Sequence, residues 1–196
     1  VWCLRKKARS LDGETLMADM SGEIPIDTPK KLEVFKKLKS KGLSYAAIAG
    51  LMGNIDIETG GTFDFQEVQG EDNKGPGYGL FQFEKPHRDA YNNYLTKYKK
   101  GDSTSSQIDY VLDNITKGEG VDIGGTNRKR LIKSFESDSP KDIALKFSSK
   151  FLNPGVPHND RRIKSAVGIY DKLIQKKTGG RIMNQTQLNY NKQRFI

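Results

Sequence analysis

The feature that most constrains the fold is an apolar run from Tyr45 to Ile57 that has almost no polar face. A helix that is apolar nearly all round is usually buried in the core of a globular domain. Ser44 is suited to cap its N-terminus, and the paired glycines Gly60 and Gly61 are suited to end it. The run therefore predicts a central helix around which the remaining elements pack.

Apolar periodicity and capping residues predict six further helices between Pro29 and Lys177. Thr28-Pro29 and Ser139-Pro140 each combine an N-cap residue with a proline at the first helical position. Glycine-rich residues 60–84 predict a small β-hairpin or loop insert directly after the central helix. The expected fold class is therefore mostly α with this insert.

Three regions follow from the same pattern. Residues 1–30 mix basic residues with glycine and proline and predict an N-terminal arm or linker. Residues 31–178 form the predicted helical domain, and residues 179–196 are polar and aperiodic. We expect this C-terminal tail to be extended or to dock on a partner.

Glu58 closes the apolar run, on the helix face that also holds Ala47, Leu51 and Ile55. Burial beside apolar side chains raises the pKa of a carboxyl group, and a carboxyl that keeps its proton near neutral pH can act as a general acid. Cleavage of a glycosidic bond requires such an acid. Glu58 is therefore the candidate catalytic acid, and the alternative is a solvated carboxylate at a frayed helix end.

An inverting hydrolase would use a second carboxylate, from the insert, to activate water, since Asp56 lies near the opposite side of the helix from Glu58. The pattern does not choose among the candidates, which are Asp64, Glu67, Glu71, Asp72 and Glu84.

The segment from Gly77 to Phe83 has the composition of a ligand-binding loop. Glycines such as Gly79 allow a close approach of the backbone to a ligand, and Gln82 offers both a donor and an acceptor. Tyr78 and Phe83 are candidates to stack on sugar rings. The alternative is a turn flanked by core aromatics.

The helix ending Gly53-Asn54-Ile55-Asp56-Ile57-Glu58-Thr59-Gly60, followed by Gly77-Tyr78-Gly79-Leu80-Phe81-Gln82-Phe83, resembles the phage tail lysozyme family. More distantly, it is similar to goose-type lysozymes and soluble lytic transglycosylases. The stretch Phe151-Leu152-Asn153-Pro154-Gly155, followed by Arg161-Arg162, is similar to the closing segment of the family. The resemblance covers roughly residues 32–176. Thr59, Phe83 and Asn153 depart from the family pattern, which usually has serine, often tryptophan and often an acidic residue there.

The resemblance implies a lysozyme-like α+β fold and a muramidase that cuts the β-1,4 bond between N-acetylmuramic acid and N-acetylglucosamine. It implies that Glu58 is the catalytic acid and that the motif from Tyr78 to Gln82, including Gly79, lines the cleft; Phe83 and Gln66 are further candidates to bind substrate. In hydrolysis, which we favour, water attacks with help from a carboxylate, Gln66 or Gln82. In a lytic transglycosylase, the C6 hydroxyl of the substrate attacks and forms a 1,6-anhydro product.

The resemblance also implies a virion protein, in the phage tail or inside the particle, that opens the host wall for genome entry. Bacterial peptidoglycan is then the substrate in the cell wall or periplasm, and we expect the two flanking arms to bind other virion proteins. A non-catalytic virion module that keeps the lysozyme fold is the alternative from another class.

The formal net charge of +9 is consistent with a well-solvated surface or, alternatively, with attraction to a polyanion, and the basic residues of the chain are spread over every predicted helix. This distribution argues against a nucleic-acid-binding domain, which would cluster them on one face. A single cysteine, Cys3, excludes an intrachain disulfide. His87 and His158 form no metal-binding motif, the apolar runs are too short to span a membrane, and we expect neither a metal nor an organic cofactor.

Overall fold

The computed structural model describes residues 27–70 and 74–177. Within these residues the chain forms seven α-helices and one short π-helical segment. They are α1 (Pro29–Ser40), α2 (Tyr45–Glu58), α3 (His87–Tyr98), α4 (Thr104–Lys117), α5 (Gly125–Ser137), α6 (Pro140–Phe147), the π-helical segment Ser148–Leu152, and α7 (Asn159–Lys177). The mostly α fold class is confirmed. Nearly all of the predicted N-terminal arm and C-terminal tail lies outside the described residues.

Four of the described helices begin directly after a capping residue, as the sequence predicts at Thr28, Ser44 and Ser139. The side chains of Thr28, Ser44, Ser103 and Ser139 each accept a hydrogen bond from a backbone N–H in the first turn of the following helix. Each bond satisfies one of the donors that a helix N-terminus leaves without a partner. Local sequence is therefore sufficient to place these starts.

The predicted β-hairpin in the insert is wrong. The described part of residues 60–84 contains one isolated antiparallel bridge, between Val68 and Tyr78, and no strand. Positive φ angles at Phe63, Gly79 and Gln82 depart from the extended backbone conformation of a strand. The described part of the insert is a loop layer, which was the alternative to the hairpin.

Helix α2 is the centre of the domain, as predicted. Its residues from Ala47 to Ile55 are all buried, and α1, α5, α6 and α7 pack around it. Gly50 faces Ile143 of α6 and Gly53 faces Ala166 of α7, close enough that a Cβ atom at either glycine would overlap its neighbour. These glycines let two helices approach the central one closely. No described helix combines the length and the apolar character that crossing a bilayer requires.

Three lysines surround the buried carboxylate of Asp109 on α4. The Nζ atoms of Lys37 and Lys41 lie 2.8 and 2.6 Å from its Oδ1 atom, and Nζ of Lys100 lies 2.8 Å from Oδ2. Burial raises the pKa of Asp109, but the three ammonium groups outweigh burial and hold the pKa well below its usual range. This cluster ties α1 and the end of α3 to α4.

The variant Asp109→Asn is expected to lower the free energy of unfolding by ~2 kcal/mol at neutral pH, because three ammonium groups lose their shared counterion. The depressed folded-state pKa means that the stabilisation is present above the unfolded value near 3.8 and is lost as pH falls below it. Urea denaturation of both proteins at neutral and acidic pH measures this difference. The control Asp89→Asn, at a side chain that is 59% exposed, should change stability by less than ~0.5 kcal/mol. Equal losses in the two variants would contradict the prediction.

Candidate active site

Glu58 is the last residue of α2, and its side chain is 15% exposed. One turn earlier, Asn54 and Ile55 are fully buried, and Leu51 is buried two turns earlier. The carboxyl group thus lies at the edge of the core, with limited access to solvent. This position is the one that the apolar face of α2 predicted for it.

Arg162 of α7 contacts the carboxyl group directly. Its Nη2 atom donates to Oε1 of Glu58 at 2.7 Å, Nη1 donates to Oδ1 of Asn54 at 2.9 Å, and Nε donates to the carbonyl oxygen of Pro157 at 2.7 Å. The arginine side chain is only 2% exposed. Since a guanidinium group stays positively charged in proteins, this is a buried charge with partners on three sides.

Asn54 fixes the guanidinium in turn. Its Nδ2 atom donates to the carbonyl oxygens of Gly50 at 2.9 Å and Ala144 at 3.1 Å, which leaves Oδ1 to accept from Arg162. Glu58 and Asn54 are four residues apart on α2 and therefore neighbours on one face. A network across α2, α6 and α7 holds the carboxyl group.

Burial raises the pKa of Glu58 above its ordinary value of 4.5. The charges of Arg162 and His158 lower this pKa, and the negative charge of Glu84 raises it, but burial is the largest effect. Desolvation penalises the ionised form more than the nearby cations favour it. Glu58 therefore retains its proton to a higher pH than an exposed glutamate does.

The predicted cleft residues of the insert differ in what they can present to a ligand. The Tyr78 hydroxyl donates to Asp102, and the guanidinium of Arg88 lies 3.9 Å from the centre of the Tyr78 ring. Gln82 donates from Nε2 to the carbonyl oxygens of Gly79 at 2.9 Å and Glu67 at 3.4 Å. Its amide thus holds the loop layer together.

The other predicted substrate-binding residues differ in their exposure to solvent: they are Phe83, Gly79 and Gln66. Phe83 is 2% exposed and packs in the core against Phe81, Tyr91, Tyr110 and His87, so its ring offers no face to a sugar. Gly79 is buried at a φ of 75°, where a Cβ atom would overlap the amide of Gln107. Gln66 is exposed on the insert.

A buried glutamine on α4, Gln107, supports the insert. Its Oε1 atom accepts from the Leu80 N–H at 2.8 Å, and its Nε2 atom donates to the Phe65 carbonyl at 2.7 Å and to Asp102 at 3.1 Å. Asp102 also accepts from the Tyr91 hydroxyl at 2.6 Å. These polar contacts, rather than strand pairing, position the loop layer.

The sequence interpretation did not assign roles to Arg162, Gln107 or Asp102. A signal for Arg162 exists, because it shares the inward face of α7 with Ala166 and Leu173, at spacings of four and eleven residues. A basic residue on an otherwise buried face requires a partner. The pattern does not say which partner it has.

Two of the five candidate second acids, Asp64 and Glu67, have polar partners of their own. Asp64 pairs with Lys30 at 2.5 Å, Glu67 accepts from the Thr62 hydroxyl at 2.7 Å, and Glu84 is exposed. Two further candidates, Glu71 and Asp72, lie outside the described residues. Among the described residues, no group of three or more histidine, cysteine, aspartate or glutamate side chains is placed to hold a metal ion.

Comparison with protein-family models matches residues 30–173 to the model described as Phage tail lysozyme. The match covers more than half of the 196-residue chain and includes the whole of the candidate site. No curated protein matches the chain.

Proposed function

The chain belongs to the phage tail lysozyme family, and on that premise we propose that it is a muramidase with Glu58 as its general acid. Membership indicates a lysozyme-like, virion-associated enzyme that acts on peptidoglycan. The bond we propose is the β-1,4 linkage between N-acetylmuramic acid and N-acetylglucosamine. The observation that carries this proposal is the largely buried carboxyl group at the end of α2, whose pKa is raised by burial.

The chemistry requires one proton and one nucleophile. Glu58 gives its proton to the glycosidic oxygen as the bond to the sugar carbon breaks, and the bonding electron pair stays on the leaving oxygen. Positive charge then develops on the sugar ring. Water completes hydrolysis, with Glu84, Gln66 or Gln82 as candidates to orient it.

Lytic transglycosylation is the second candidate. The C6 hydroxyl of the substrate replaces water, and Glu58 serves first as acid and then as base. The observation in favour of this alternative is that Arg162 holds the Glu58 carboxyl in place, and one fixed carboxyl can perform both proton transfers.

We further propose where the activity is used. A virion-associated lysozyme of this family would open the host wall locally during genome entry and act at the wall or in the periplasm. The flanking residues 1–30 and 179–196 would attach the domain to other virion proteins. Binding of purified tail proteins to the full chain, lost when residues 1–26 and 179–196 are removed and α1 with its Thr28 cap is kept, would support that role.

Digestion of purified peptidoglycan, with the products read by mass spectrometry, tests the proposed activity. Muropeptides with a reducing end would establish a muramidase. Products lighter by one water would establish a lytic transglycosylase. A folded chain that cleaves none of several wall types would contradict the enzymatic proposal and support a non-catalytic virion module.

Activity is expected to fall as the pH rises through the pKa of Glu58, because the ionised carboxylate has no proton to donate. Since this pKa lies above 4.5, the descending limb of kcat/KM should also lie above pH 4.5. Initial rates at constant ionic strength, with circular dichroism at each pH to verify folding, measure the limb. A descending limb at or below pH 4.5 in folded protein would contradict the prediction.

A further inference from the structure

We propose that Arg162 is a positioning residue for Glu58, holding its Oε1 atom so that Oε2 delivers the proton to the leaving oxygen. The inference rests on the proposed role of Glu58 as general acid. In this proposal, Oε1 of Glu58 accepts a hydrogen bond from Arg162, whereas Oε2 carries the proton that is transferred.

Donor and acceptor chemistry distinguishes the two oxygens. A guanidinium group only donates hydrogen bonds, and Nη2 of Arg162 lies 2.7 Å from Oε1 of Glu58. A proton on Oε1 would compete with this N–H for the same short contact. The neutral carboxyl therefore carries its proton on Oε2, and the rotation that would exchange the two oxygens costs a charge-assisted hydrogen bond.

The guanidinium does not depend on Glu58 for its position. Oδ1 of Asn54 and the carbonyl oxygen of Pro157 accept from its other nitrogens at 2.9 and 2.7 Å. Asn54 is itself anchored by the carbonyls of Gly50 and Ala144. An arginine held at two points other than Glu58 and only 2% exposed is a rigid support for the carboxyl.

The fixed positive charge also assists the step itself. The proton moves from Oε2 to the glycosidic oxygen, the bond between this oxygen and the sugar carbon breaks, and Glu58 becomes a carboxylate that faces Arg162. In transglycosylation, the proton returns to Glu58 from the C6 hydroxyl group; in hydrolysis, the attacking water releases a proton and Glu58 regains one from solvent. The charges acting on the carboxyl are those of Arg162 and His158, which favour the ionised form, and Glu84, which opposes it.

The variants Arg162→Met and Arg162→Lys, with Arg161→Met as control, test the proposal. Arg161 is the exposed arginine next to Arg162. In Arg162→Met, we expect kcat to fall by about 100-fold with a smaller change in KM, because the acid loses its orientation. Carbon-13 NMR titration of Glu58 and the descending limb of the kcat profile should both move to higher pH.

The lysine variant separates charge from geometry. Its ammonium keeps the positive charge but lacks the planar fork that reaches three acceptors, so kcat should fall while Glu58 titrates closer to wild type than in Arg162→Met. Arg161→Met should change neither kcat nor the titration. If Arg162 contributed only to packing, its replacement would lower the stability of the domain but would leave the titration of Glu58 unchanged.

An unchanged titration of Glu58 in folded Arg162→Met would overturn the proposal. If Arg162→Met does not fold, an Arg162→Lys variant that folds and retains wild-type kcat would overturn it instead. The NMR titration needs no substrate, so it reports on Arg162 and Glu58 independently of catalysis. A wild-type chain without cleavage activity but with the expected titration shifts would overturn the proposed function and leave the coupling between Arg162 and Glu58 established.

Discussion

Replacing Glu58 with glutamine is expected to reduce peptidoglycan cleavage by roughly 10²- to 10⁴-fold, which is the usual contribution of a general acid. The amide has nearly the volume of the carboxyl group and keeps an oxygen that can accept from Nη2 of Arg162. What it lacks is a proton acidic enough to transfer to the leaving oxygen. The loss should therefore appear in kcat, with the helical fold retained.

The matched control is Glu136→Gln, at an exposed glutamate on α5 that lies outside the site network. Release of soluble muropeptides, at equal concentrations of protein verified as folded by circular dichroism, compares the two variants with wild type. The control should retain wild-type activity. If Glu58→Gln kept more than about a tenth of the activity, Glu58 would not be the general acid.

Replacing Gly53 with alanine is expected to destabilise the domain by ~1–3 kcal/mol, although alanine is the better helix former by about 1 kcal/mol. The new Cβ atom would lie 2.7 Å from the backbone nitrogen of Ala166 and 2.8 Å from its Cα atom. Backbone atoms cannot rotate away as a flexible side chain can. Helix α7 must shift relative to α2, so the contact between Arg162 and Glu58 should weaken and activity should fall as well.

Gly168→Ala is the control for helix propensity. Gly168 lies within α7, and a Cβ atom there would meet nothing within 4 Å. We expect it to stabilise the domain by roughly 0.5–1 kcal/mol, so the two Gly→Ala changes should have opposite signs. Urea denaturation measures both. If Gly53→Ala stabilised the domain, α7 would have shifted away from the new Cβ atom without any loss of stability, and the prediction would be wrong.

Much of the fold could be predicted because its determinants are local. The caps Thr28, Ser44 and Ser139 act on backbone N–H groups three residues away. Apolar periodicity identifies helices for the same reason, since residues three and four apart share one face. The central position of α2 also followed from sequence, because an apolar surface on all sides must be covered on all sides.

The insert was predicted less well, because its structure depends on partners distant in sequence. Gln107, on α4, binds both Leu80 and Phe65, and these contacts replace the strand pairing expected after α2. The sequence pattern predicted that Phe83 would lie in a ligand-binding loop, yet its ring lies in the core. A local pattern does not distinguish an aromatic ring that faces a cleft from one that fills the interior.

By itself, the sequence determined seven helices, their order, their starts and the placement of one carboxyl at the end of the most apolar helix. Only the tertiary structure decided what that carboxyl contacts. Arg162 is 104 residues away from Glu58, and the two meet because Gly53 and Ala166 allow α7 to lie close against α2. Helix formation depends on neighbours along the chain, whereas the hydrogen bonding of Glu58 depends on the distance between two packed helices.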